Sequence, residues 1–149
     1  MIGEYPLIVS IIIQSFAGTM HKCGGVLRNA QTAITSACCV YGEDATKITI
    51  KCGSLDRNHM PRTSPVSSIT FYHLFIPETT SSPGSTMISI VGWGRTNDDG
   101  KGVCVEDEGG PVMYNNQLMG ILSQGSCGAP DVQNVYTSTI AVLDFLNSS

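Results

Sequence analysis

The apolar runs of this chain are short, and no long amphipathic helical stretch appears before its C-terminus, so its texture is β. Residues 6–15 are apolar and rich in β-branched side chains, the texture of a strand. Residues 24–27 and 33–35 are two shorter candidates. Residues 46–51 (TKITIK) alternate cleanly, which predicts a half-buried strand whose successive side chains point to opposite faces. Residues 65–72, 86–93, 117–123 and 134–137 complete the predicted strands. Only residues 139–146 (TIAVLDFL) space their apolar positions as a helix does, so a helix is predicted to close the chain. Residues 79–85 (TTSSPGS) are small and polar around a Pro-Gly pair and read as a linker, and residues 97–102 (NDDGKG) read as a turn. There is no internal repeat. The pattern predicts an all-β chain with a C-terminal helix, in two halves, 1–82 and 83–149, that meet near Ser81 and Gly84.

Composition narrows the function classes. At 149 residues the chain fits one domain on a prior of roughly 100–200 residues, enough to bury a core without a metal. A net charge of -4 with no basic stripe argues against nucleic acid, whose phosphates demand clustered cations. The longest apolar run, 7–13, is broken by Ser10 and falls short of the ~20 residues that cross a bilayer, so no membrane partner is expected. No secretory leader pattern opens the chain, whose start reads as that of a mature or recombinant form. The six cysteines form no CxxC pair, and His21, His59 and His73 are not at zinc spacing. Disulfides in an extracellular setting are the expected use. Neither a metal nor a cofactor is implied.

Six short strings then occur in order. His21 precedes Cys23-Gly24-Gly25. Thr35-Ser36-Ala37-Cys38-Cys39 and Val91-Gly92-Trp93-Gly94-Arg95-Thr96 follow. Next come Cys104-Val105-Glu106-Asp107-Glu108-Gly109-Gly110-Pro111, the run from Gly120 to Cys127, and Val135-Tyr136-Thr137. Together they resemble the trypsin/chymotrypsin-like serine protease family from near the first residue to the last. The resemblance implies a trypsin-like double β-barrel over residues 1–149. Complete domains of that kind run on the order of 200–250 residues. Stretches after His73 and near Gly100 and Lys101 are therefore expected to be missing. The expected architecture is two incomplete barrel-like sheets facing each other.

The same resemblance implies a degenerate active site. Cys38 stands where the family has its general-base histidine, and Glu108 where it has the nucleophilic serine. The aspartate that orients the histidine has no match after His73. Acyl transfer needs a hydroxyl activated by an imidazole, itself fixed by a carboxylate, and none of the three is present. Glu106 replaces the glycine whose N–H steadies the oxyanion, in a backbone shape costly for a residue with a Cβ. In the specificity pocket, Gly102 stands at the base, Gln124 replaces an aromatic wall, and Asn134 replaces a glycine. The family's disulfides imply Cys23–Cys39 and Cys104–Cys127. Cys38 and Cys52 have no family partner. They are left free, paired together or linked between chains, and free, buried thiols are expected. Asp107 matches the aspartate that receives a new N-terminal amine in activated members. Pro6 follows Met1-Ile2-Gly3-Glu4 too soon for such an arm to reach, so a zymogen-like arrangement is expected. Drift of disused machinery explains the acidic run 106–108, with a cation or basic-peptide site as the alternative. Asn147-Ser148-Ser149 fits a glycosylation pattern at the end of the chain, where its use is not expected.

The strings around Cys23 to Leu27 and Tyr41 to Ile50 are also similar to mite group 3 allergen-like trypsins, which include inactivated paralogues in parasitic species. That likeness implies a secreted pseudoprotease acting by protein binding, with interference in a host proteolytic cascade such as complement. No residue identifies the partner. The competing expectations are a residual peptidase using Cys38 as nucleophile, and a non-functional truncated product.

Overall fold

A computed structural model describes residues 5–72, 88–93, 103–125, 127 and 133–148. The arm 1–4, the segment after His73, the linker 79–85, the junction of the two halves, the turn 97–102 with Gly102, and the stretch near Gly100 and Lys101 lie outside the described residues.

The apolar N-terminal run forms β1 (Ile8–Ser15), which turns back into β2 (Gly18–Leu27). Ile8 faces Val26, and a bulge falls between Ile11 and Ile12. On its other side β1 pairs with β4 (Ile48–Cys52), which pairs with β5 (Arg62–Pro65). The two-residue β3 (Ala33–Ile34) lies on the outer side of β2. The first sheet thus runs β3-β2-β1-β4-β5. Val9, Ile11 and Ile13, two residues apart, share one face of β1 and pack with Cys23, Val40 and Ile48 in the core. Ser10 and Ile12 point the opposite way, yet both are buried, because the second sheet and a loop cover that face.

The second sheet runs β6-β7-β8-β9. Its strands are β6 (Ser89–Ile90), β7 (Pro111–Tyr114), β8 (Gln117–Gln124) and β9 (Val135–Ser138). Leu122 and Val112 are its fully buried side chains. The molecule is mostly β, with two curled sheets and a short helix at the C-terminus, a shortened form of the double-barrel plan.

Several elements depart from the sequence expectations. Of the strand expected at 86–93, β6 keeps only Ser89–Ile90 among the described residues. Of the strand expected at 65–72, only Pro65 is strand, as the end of β5, although the Val66 N–H still donates to the Ile48 carbonyl at 3.1 Å. The chain beyond it is irregular, but Val66, Ile69 and Phe71 still pack on the core. Residues 46 and 47, expected as strand, belong to a 3₁₀ turn because the Asp44 carboxylate accepts the Thr46 N–H at 2.9 Å. The closing helix begins as a 3₁₀ turn over Ile140–Val142 before α2 (Leu143–Ser148). Strand β7, absent from the expectation, leads into a two-residue hairpin loop at Asn115 and Asn116, with φ of 47° and 60°.

Candidate functional site

The candidate site sits on the loop joining residue 103 to β7. Its near end is pinned by the Cys104–Cys127 disulfide. Asp107, nearly buried, donates its own N–H to the Cys104 carbonyl at 3.0 Å, and its Oδ2 accepts the Cys104 N–H at 2.9 Å. Gly92 lets that carboxylate seat, since a Cβ there would collide with it. The Gly109 N–H donates to the Leu122 carbonyl at 2.8 Å, in a left-handed conformation (φ 79°) where a Cβ would strike Thr35 and Gly24. Neighbouring backbone therefore dictates the shape of the loop.

Glu106 is held in that shape. Its φ is 80°, a region glycine favours and an L-residue enters under strain. Its N–H donates to Oε2 of Glu108 at 2.8 Å. The Glu108 carboxylate, which the sequence resemblance aligns with the nucleophile, thus occupies the Glu106 N–H. The Glu106 side chain turns away to Arg57, whose Nη1 donates to Oε2 at 3.1 Å. The three acidic side chains diverge to Arg57, to the Cys104 N–H and to the Glu106 N–H, so they do not converge on a cation.

Cys38 lies at the start of α1 (Ala37–Val40). Its Sγ is 3.2 Å from the Ser36 hydroxyl and 3.9 Å from the Ser123 carbonyl. Among the described residues no hydrogen bond joins it to Glu108. Gln124, exposed, ends β8 at an irregularity in the ladder. Asn134, also exposed, immediately precedes β9. Two disulfides join Cys23 to Cys39 and Cys104 to Cys127. Cys38 and Cys52 are free thiols, but neither is buried: Cys38 is exposed and Cys52 half-buried. Burial of Cys38 fails because α1 turns only one face, that of Cys39 and Val40, to the core.

Contacts the sequence did not suggest bind the loop to the first sheet. His21 of β2 places Nε2 3.1 Å from the Glu106 carbonyl and Nδ1 2.6 Å from the Ser10 hydroxyl. Burial holds its imidazole below the ordinary value of 6.5, partly offset by the bond to Glu106. The Trp93 indole stands edge-on to His21 and donates to the Leu55 carbonyl at 2.6 Å. The Gly24 N–H donates to the Glu108 carbonyl at 2.8 Å.

Two curled sheets carrying such a loop define a chymotrypsin-type scaffold. A trypsin family model matches residues 96–146. Trypsin iota of Drosophila melanogaster is 23% identical over 212 positions, covering 96% of this chain and 82% of that protein. That alignment is longer than the 149-residue chain, so it opens gaps in it. Venom plasminogen activator Haly-PA of Gloydius brevicauda is 42% identical over 55 residues, 36% of this chain and 21% of that protein. Inactive snake venom serine proteinase 13 of Crotalus adamanteus is 43% identical over 53 residues, 34% of this chain and 20% of that protein. The chain thus spans about a fifth of the venom relatives it matches. The secreted serine protease VesC of Vibrio cholerae shares the fold, with a TM-score of 0.71 and 18% identity, over 99% of this chain and 46% of that one. These likenesses show that the chain is similar to trypsin-like serine proteases in sequence and in fold. No helix among the described residues is long and apolar enough to cross a membrane.

Proposed function

We propose that this chain is a secreted, catalytically inactive member of the trypsin-like group that acts by binding another protein. One observation carries this reading. The carboxylate in the nucleophile's place accepts the very N–H an oxyanion would need. A carboxylate is also a poor acyl acceptor, and Cys38 has no imidazole bonded to it among the described residues. Secretion is supported by the two disulfides and by the secreted and venom relatives. A protein of a host proteolytic cascade, complement among them, is the partner class proposed from the sequence likeness.

The test is turnover of a mixed peptide library by the purified chain, beside a Glu108→Ser, Cys38→His form. Neither is expected to hydrolyse substrate, since the orienting aspartate has no match and the pocket positions are altered. Turnover by the unmodified chain, abolished by iodoacetamide, would make it a cysteine-dependent peptidase and overturn the proposal.

A further inference from the structure

The outer face of the first sheet does not lie flat against the Glu106 loop. Between them is a cleft of about 400 Å³, within the ~300–1,000 Å³ range of ligand sites. Its lining is mostly polar, with the largely exposed Met20 supplying most of a narrow apolar edge and the buried Ile12 little of it. His21 forms another side with both ring nitrogens already engaged, and burial favours its neutral form. Two cations enter the same space, Lys51 from β4 and Arg57 from the loop that follows it.

Neither cation is fully matched. Among the described residues no carboxylate lies in ion-pair reach of Lys51. Arg57 makes both its bonds, to Glu106 and to the Trp93 carbonyl, through Nη1, and its side chain is 41% exposed. The chain as a whole carries -4, yet this cleft holds two cations against the single carboxylate of Glu106. Such a local inversion of sign attracts anions and fixes their register more than it adds raw affinity. Glu106 on Arg57 shows how a carboxylate seats at one edge of the cleft.

We infer that this cleft binds an acidic segment of a partner protein, with carboxylates at Lys51 and Arg57. A sulfated glycan fits less well, because its dense charge would face the Glu106 carboxylate with only two cations to balance it. The inference takes its purpose from the proposed binding role. The cleft shares Glu106 and His21 with the candidate site, but its test reads binding through Lys51 and not turnover, so peptidase activity would overturn that proposal and leave this one standing.

The experiment is fluorescence anisotropy with a labelled peptide of alternating Glu and Leu, and with its Gln-for-Glu counterpart. Saturable binding of the Glu peptide is expected below about 1 mM, weakening as salt rises. Lys51→Glu is expected to weaken it at least about tenfold, and Lys47→Glu, the same charge change away from the cleft, less than about twofold. Circular dichroism checks folding, and Lys51→Gln replaces any variant that fails it. Equal binding of the Gln peptide, equal effects of the Lys51 and Lys47 variants, absence of binding, or displacement by a sulfated oligosaccharide at lower concentration would each overturn the inference.

Discussion

Glu106 sets strain against an ion pair. The left-handed backbone costs an L-residue roughly 1–2 kcal/mol. Its pair with Arg57 is partly exposed, 41% and 22% on the two side chains, and such pairs contribute roughly 0–1 kcal/mol. Strain is the larger quantity, so Glu106→Gly is expected to raise Tm by a few degrees in a thermal melt. A lower Tm would show that the pair outweighs the strain. His21 gives a second test at this scale. Burial lowers its pKa in the fold, whereas the unfolded chain protonates near 6.5. Between those two values the unfolded state binds more protons, so stability is fully present above 6.5 and is lost as pH falls through the lowered value. Tm is expected to be level above pH 7 and to decline as the pH falls below 6.5, with a shallower decline in His21→Gln. Asp44 and Asp56, lowered from 3.8 by hydrogen bonds from Thr46 and His59 respectively, act in a separate and more acidic window. The identities of Glu106 and Glu108 were legible in the sequence. Their bond to each other was not, because nothing in a string of residues says which way a carboxylate turns.

Among the elements, the two disulfides close loops of 16 and 23 residues. Chain entropy then assigns each about 3 kcal/mol, a large share of the roughly 5–15 kcal/mol that holds a domain folded. A Cys104→Ala, Cys127→Ala form is expected to lose about that much in urea unfolding, read as a lower midpoint at an unchanged slope. A loss under about 1 kcal/mol would mean the bridge adds little beyond what the loop's own hydrogen bonds supply. Most strands were legible from periodicity, since Val9, Ile11 and Ile13 must share a face. One misreading arose where local chemistry overrode pattern, with Asp44 capping a turn at the start of an expected strand. The overlooked β7 did carry a signal. Two adjacent asparagines tolerate positive φ, the requirement of a two-residue hairpin loop.

For the whole molecule, the fold class could be argued from ordered strings alone, but the cleft could not. Lys51 and Arg57 stand 55 and 49 residues before Glu106, and only the folding of one sheet over the other's loop brings them together. Their convergence is a property of tertiary packing, invisible to spacing. The peptide-binding and turnover experiments therefore address different parts of one molecule, and each can fail without the other.

The segment 106–108 has a further consequence. Its carbonyls accept from Gly24 and face His21, so this peptide serves as a clasp between the sheets. Substituting residues in that segment would be an intervention in the chain's assembly as much as in its chemistry. The first sign of such an edit gone wrong would be a lower yield of soluble protein, before any assay of turnover could be run.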